Sequence, residues 1–123
     1  DYEKFKKLVE EKNVACYIVN TGDFMGTKVK PADTLGILET IVEGKANFEK
    51  WGNFDDIEIM YDWSGKTSDA FKPDMNNAEY VAALKSAMQN RVDAVEGFAT
   101  KKEGYDKLPD EALAALKKLV EQC

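Results

Sequence analysis

Histidine is absent from the sequence, and no run of apolar residues is long. Without histidine the chain lacks the commonest general base and zinc ligand, and it cannot form a Ser-His or Cys-His nucleophilic pair. No window approaches the roughly eighteen apolar residues of a membrane span, and the charged N-terminal run has no signal-peptide core. We therefore expect a cytoplasmic protein without a membrane partner and without a self-contained catalytic constellation.

Cysteine is scarce, and basic residues are outnumbered. Cys16 lies in an apolar stretch and Cys123 is the last residue, so we expect two reduced thiols and assign neither a catalytic role. The formal net charge is −6, and most of the imbalance is C-terminal: residues 1–50 hold nine acidic and eight basic side chains, and residues 51–123 hold fourteen and nine. Such a chain lacks the basic footprint of nonspecific nucleic-acid binding.

The length of 123 residues, 44% of them hydrophobic, predicts a single domain spanning 1–123. Apolar residues recur at helical spacing in four segments, and two short runs are rich in β-branched or aromatic residues. We expect helices over 2–12, from Pro31 to Gly44, over 77–95 and after Pro109, with strands at 14–19 and 57–61 and a loop at 62–76. The predicted fold is α/β or α+β, with a small mixed sheet packed by about four helices.

Three groups that could carry function are interpreted as structural. The "SGKT" at 64–67 lacks the upstream glycine that a phosphate loop needs, and it is read as a surface turn. Asp55, Asp56 and Glu58 could attract a divalent cation, but Asp56 and Glu58 share one side of a strand, as a solvated face requires. Trp51 and Trp63 could stack on a ring, although aromatic residues beside glycines more often pack a core or a lid.

Features that favour a ligand converge at the start of the second helix. Pro31 fits the first helical position, and Asp33 can reach back to the helix start as in a capping box. The free N–H groups there, with Lys28 and Lys30 just outside, suit an anion or a polar ring edge. From the residues alone, a capped helix with two solvated lysines is still the simpler interpretation.

A resemblance shifts that balance. The run "YIVNTG" followed by "GTKVKPADTLGILETIVEG" resembles the nucleotide-side C-terminal segment of ATP-dependent phosphoenolpyruvate carboxykinase, where a strand ending in V-N-T-G leads to G-K-R-I-S-I-x-D-T and a helix. The order of later elements also agrees. The resemblance covers about residues 14–95 and is specific at 17–44, which leaves 96–123 as a C-terminal helical extension.

The resemblance implies that this segment forms the wall around the adenine of ATP. By position, the nucleotide-binding residues are Lys28, Val29, Lys30 and Thr34, with main-chain contacts at Val29 and Lys30 and a side-chain contact from Thr34. Lys28 stands where the family has arginine, and lysine cannot offer the same planar stacking over a base. The choice between ATP and GTP therefore stays open.

The resemblance also implies what lies outside this chain. In that family the phosphate loop, the ligands of Mg²⁺ and Mn²⁺ and the substrate arginines are upstream, and decarboxylation of oxaloacetate is coupled to phosphoryl transfer from ATP. We therefore expect the C-terminal part of a longer enzyme, with the rest of the parent chain as its partner. Two alternatives stay open: a non-enzymatic interaction domain in which Tyr2, Phe5 and Leu8 or the last helix pack on a partner, and an inactive homologue of the same fold.

Overall fold

A computed structural model describes residues 1–60, 62–63, 66–67, 69–98, 100 and 107–123. This part contains four α-helices and three separate two-stranded antiparallel pairs, with one short 3-10 helix. The helices are α1 (Tyr2–Lys12), α2 (Pro31–Val42), α3 (Ala78–Gly97) and α4 (Asp110–Gln122). The strand pairs are β1 (Asp23–Phe24) with β2 (Thr27–Lys28), β3 (Glu49–Lys50) with β4 (Glu58–Ile59), and β5 (Asp62–Trp63) with β6 (Lys66–Thr67).

The mixed α and β composition and the four predicted helices are confirmed. The predicted mixed sheet is not formed among the described residues, where each strand pairs only with its hairpin neighbour. No helix of the described part has the length and apolarity needed to span a membrane.

Local capping signals set the helix ends. The Asn77 side chain accepts hydrogen bonds from the backbone N–H groups of Glu79 and Tyr80, at 3.0 and 3.1 Å, and so starts α3. Asn13, with φ of 50°, ends α1, and Gly44, with φ of 70°, follows the end of α2. Both residues adopt the left-handed conformation that commonly stops a helix.

The predicted central strand at 14–19 is wrong. These residues belong to no helix or strand, and all but Val19 are exposed. Their backbone N–H groups donate no hydrogen bond within the described part, and the Val14 carbonyl receives only the Cys16 thiol, at 3.8 Å. The apolar, β-branched composition is that of a strand, but a strand also needs a neighbour to satisfy its backbone groups, and no strand of the described residues pairs with this segment.

The predicted loop at 62–76 contains more structure than expected. It carries β5 and β6, and a 3-10 turn at Asp69–Phe71. Tyr61 and the Ser64-Gly65 of "SGKT" lie outside the described residues, so their predicted roles are untested.

The core is small and centred on Phe54, which the β3–β4 hairpin holds with no solvent exposure. Its ring meets Trp51 edge-on, with centroids 5.0 Å apart. Val92 lies on α3, the helix that packs on α4, and Tyr80 on α3 contacts Phe24 with ring centroids 5.8 Å apart. Burial raises the pKa of Tyr80.

Helix α1 is attached to α4 through polar contacts. Lys6 Nζ lies 2.8 and 2.9 Å from the two carboxylate oxygens of Glu111, and the Tyr2 hydroxyl donates to the same carboxylate at 3.1 Å. No side chain of α1 is buried, and Phe5 and Leu8 are exposed. These bonds to Glu111 are therefore the polar contacts that hold α1 against the rest of the described chain.

Acid should release α1 because its attachment depends on an ionised carboxylate. The Lys6 ammonium, followed by the Tyr2 hydroxyl, holds the pKa of Glu111 below its ordinary value of 4.5. Because this pKa is lower in the folded chain than in the unfolded chain, the ionised carboxylate stabilises the fold at pH values above 4.5. That stabilisation is lost as the pH falls through the folded-state pKa. We expect the amides of α1 to exchange hydrogen faster at pH 3 than at pH 6, after correction for intrinsic rates. Glu111→Gln is the control and should show the faster exchange at both pH values, whereas equal protection of the unsubstituted chain at both would contradict the prediction.

Candidate functional site

The loop that precedes α2 is fixed by its own hydrogen bonds. The Asn20 side chain accepts from the Gly22 N–H at 2.9 Å and donates to the Asp23 carbonyl at 3.3 Å. The β1–β2 hairpin turns at Met25 and Gly26, both with positive φ, a geometry that suits a two-residue hairpin turn. The loop therefore has a defined shape without any ligand.

Val29 anchors the end of this loop. Its side chain is buried, and its N–H donates to the Gly22 carbonyl at 2.8 Å. The Val29 carbonyl accepts no hydrogen bond from any described residue. The sequence predicted a main-chain contact at Val29; of its two backbone groups, the N–H is thus already used and the carbonyl accepts no bond from a described residue.

The start of α2 is capped as the sequence predicted. Lys30 is the N-cap, and its N–H donates to the Asp33 carboxylate at 2.8 Å. The Lys30 carbonyl accepts from the N–H groups of Asp33 and Thr34, at 2.9 and 3.2 Å. Pro31 has no N–H. Ala32 is therefore the one residue at this helix start whose N–H donates no hydrogen bond to a described residue. The predicted set of free donors is therefore reduced to a single group.

Charge at this position comes from Lys28 and Lys30. Both side chains are exposed, and neither forms an ion pair with a described residue. Thr34 is half-buried in the first turn of α2, and its hydroxyl makes no hydrogen bond within the described ranges. The four predicted residues therefore lie on one hairpin strand and the adjoining helix start, with two cationic side chains and a hydroxyl unengaged.

The acidic group after the core phenylalanine is tied to α4. Lys118 Nζ lies 3.2 Å from Asp55 and 3.0 Å from Asp56, and Gln122 donates to Asp55 at 2.8 Å. Hydrogen bonds from Lys118 and then Gln122 lower the pKa of Asp55. In the part of the chain that the structure describes, no group of three acidic, cysteine or histidine side chains is placed to hold a metal ion. Asp55 and Asp56 thus serve to join the β3–β4 hairpin to the last helix.

The sequence did not indicate how much surface the folded chain leaves exposed. The chain exposes 9140 Å². A compact monomer of 13.8 kDa is expected to expose about 6,600 Å², so this chain exposes roughly 2,500 Å² more. Most of the exposed large apolar side chains belong to α1, to residues 14–19 and to α2, namely Phe5, Leu8, Val14, Tyr17, Ile18, Leu35, Leu38 and Val42; Met25 and Phe48 lie elsewhere.

Residues 14–19 include Ile18, the most exposed of these side chains, and we call them the apolar segment. Ile18 is 102% exposed, and Val14 and Tyr17 are about half exposed. The segment ends at Asn20, where the loop leading to Lys28 and Lys30 begins. An uncovered apolar segment and a pre-shaped loop are therefore adjacent in the chain.

A groove between α3 and α4 lies apart from the predicted residues. It measures about 250 Å³ and is lined by Val92, Val120 and the ion pair of Glu96 with Lys117, whose charged atoms are 2.7 Å apart. None of the predicted nucleotide-binding residues lines it. Comparison with known proteins gives no match of this chain to a family profile, a curated protein or a solved structure.

Proposed function

We propose that this chain is the nucleotide-binding C-terminal portion of a phosphoenolpyruvate carboxykinase-like enzyme. The observation that carries the proposal is the pre-shaped loop ending at Lys28, Lys30 and the start of α2, directly after an apolar segment that the described residues leave largely exposed. The loop suits a ligand, and the uncovered segment suits a chain that packs against more protein. The resemblance at residues 17–44 supplies the ligand class and the reaction.

In this proposal each residue has a limited part. The Val29 carbonyl accepts a hydrogen bond from the exocyclic amine of adenine, because its N–H is already given to Gly22. The Thr34 hydroxyl supplies a further polar contact, and Lys28 and Lys30 add positive charge near the nucleotide. The rest of the parent chain binds the phosphates, Mg²⁺ and Mn²⁺, and there oxaloacetate is decarboxylated with phosphoryl transfer from ATP.

The proposal is tested by calorimetric titration of this chain and of its full-length parent with ATP and with GTP, each with Mg²⁺. We expect clear binding by the parent and weak or absent binding by the chain alone, because most phosphate contacts lie elsewhere. The Lys28→Ala/Lys30→Ala parent should bind more weakly, and Lys4→Ala/Lys12→Ala, which removes the same charge from α1, should bind unchanged. A parent that binds no nucleotide would overturn the proposal.

Thr34→Val in the parent should weaken nucleotide binding by about 1 kcal/mol, or roughly fivefold, because one neutral hydrogen bond is lost. Valine keeps the shape of threonine, so the loop should be undisturbed. Thr100→Val removes an exposed hydroxyl far along the sequence and is the control. Unchanged affinity of the Thr34 variant would exclude its hydroxyl as a ligand contact.

A protein-interaction domain is the second candidate, and the excess exposed area favours it. An excess of roughly 2,500 Å² is comparable to the surface that obligate partners bury. The test is amide hydrogen exchange of residues 14–19 in the full-length parent and in the 123-residue chain. Protection of these amides by further protein supports the candidate, and free exchange in both contexts contradicts it.

A further inference from the structure

The β1–β2 hairpin carries part of the candidate site, and its polar bonds to described residues are all internal. Its hydrogen bonds, from the strand pairing to the bond between the Val29 N–H and the Gly22 carbonyl, lie within residues 20–29. No ion pair of the described residues involves residues 20–28. The hairpin therefore has a fixed internal shape, but its orientation on the fold depends on apolar contacts.

One such contact joins the hairpin to α3. The half-buried ring of Phe24 lies against Tyr80, with ring centroids 5.8 Å apart and ring planes at 50°. Tyr80 is 7% exposed and lies in the first turn of α3, where the Asn77 side chain accepts its N–H at 3.1 Å. Within the described ranges this is the only ring pair between the hairpin and a helix. Aromatic pairs at this distance attract each other beyond the effect of the area they bury.

We propose that Tyr80 is a positioning residue for the candidate nucleotide site. Its ring holds Phe24, and Phe24 fixes the orientation in which the hairpin presents Lys28 and the Val29 carbonyl. This role rests on the proposed function and deepens it, because it names the residue that orients the site. Tyr80 itself acts only through the hairpin and makes no contact with the nucleotide.

The strand register shows how the contact reaches the site. Phe24 pairs with Thr27, and the next pair along the ladder is Asp23 with Lys28. The Val29 side chain that follows is buried, so a hairpin released from α3 would pivot near Val29 and carry Lys28 with it. The affinity for a ligand falls with the fraction of molecules in the binding orientation. Loss of the ring contact should therefore weaken nucleotide binding.

Val92 offers a matched comparison on the same helix. Tyr80 and Val92 are both buried, but Val92 lies about 18 Å further along α3 and lines the groove beside α4. Val92→Ala therefore weakens the packing of α3 and α4 without touching the hairpin. It separates a positioning role of Tyr80 from a role in core stability alone.

The first test measures hairpin mobility by NMR relaxation of the 123-residue chain without nucleotide. The order parameters of the backbone amides of residues 23–28 should fall from about 0.85 to below about 0.6 in Tyr80→Leu and in Phe24→Leu. Tyr80→Phe keeps the ring, and it should leave them unchanged, as should Val92→Ala. Phe24→Leu provides a second route to the same result, because Phe24 is only half-buried and its substitution should spare the core.

The second test is calorimetric titration of the full-length parent with ATP and Mg²⁺. Tyr80→Leu and Phe24→Leu should each weaken binding by roughly three- to tenfold, the range expected for loss of one aromatic contact. The double variant should bind no more weakly than the single variants, because both substitutions remove the same contact. Tyr80→Phe and Val92→Ala should bind as the unsubstituted parent does.

Four results would each overturn the positioning role. They are a rigid hairpin in both leucine variants, an affinity loss in Tyr80→Phe equal to that in Tyr80→Leu, an equal loss in Val92→Ala, and additive losses in the double variant. A parent that binds no nucleotide overturns the proposed function instead. The order parameters then decide by themselves whether Tyr80 holds the hairpin in place.

Discussion

Phe54→Ala should destabilise the chain by about 3–5 kcal/mol, the cost usually found when a buried phenylalanine is truncated. Phe54 is the one large side chain of the described part with no solvent exposure, and its ring packs edge-on against Trp51. Small domains have a total stability of about 5–15 kcal/mol, so this loss is a large fraction of the whole. Urea denaturation followed by circular dichroism measures it, and the variant should be largely unfolded in low denaturant.

The matched control is Phe48→Ala, which removes the same ring at a position that is 39% exposed. Its ring contacts Tyr17, but because the residue is partly exposed, its truncation removes less buried surface than that of Phe54. We expect a loss of about 1 kcal/mol or less. Equal losses for the two variants would mean that Phe54 is not the centre of the core.

Gly52→Ala should have the next largest effect, about 2 kcal/mol, because two costs act at one residue. Gly52 has φ of 54°, and an alanine in the left-handed region costs roughly 1–2 kcal/mol. A Cβ built there would also lie 2.9 Å from Cε and 3.0 Å from Cγ of Met75. Since Gly52 lies in the turn that positions Phe54, the strain acts directly on the core, and urea denaturation again measures it.

Two further variants separate the costs of Gly52→Ala. Gly44 has φ of 70° and no atom within 4 Å of a built Cβ, so Gly44→Ala should show the conformational cost alone. In a Met75→Ala background the collision is absent and only the backbone strain remains. Gly52→Ala should therefore lower the free energy of unfolding by less in that background than in the unsubstituted chain. If Gly52→Ala lowers the free energy of unfolding no more than Gly44→Ala does, the contact with Met75 does not contribute to the loss.

The sequence was most informative where the determinants are local. Helix α1 has its predicted bounds, and the Asp33 bond to the Lys30 N–H forms as the capping pattern predicted. These features depend on residues within one or two turns of each other. Pattern analysis therefore found the four helices and the start of α2.

Pattern analysis failed where the structure depends on distant residues. The apolar segment has the composition of a strand, but composition does not show whether a second strand lies beside it. In the candidate site, the bond from the Val29 N–H to the Gly22 carbonyl crosses seven positions of an irregular loop, so nothing in the sequence indicated that this donor was already used. The bond between Lys118 and Asp56 likewise joins residues 62 positions apart, and no local pattern encodes it.

The large exposed surface also affects how stability responds to temperature. An unfolded chain of 13.8 kDa exposes about 20,000 Å², so unfolding from 9140 Å² uncovers roughly four-fifths of the surface that a compact monomer of this mass would uncover. The heat-capacity change of unfolding scales with that newly exposed surface. We therefore expect the single chain to have a flatter free-energy curve against temperature than a compact domain of the same mass.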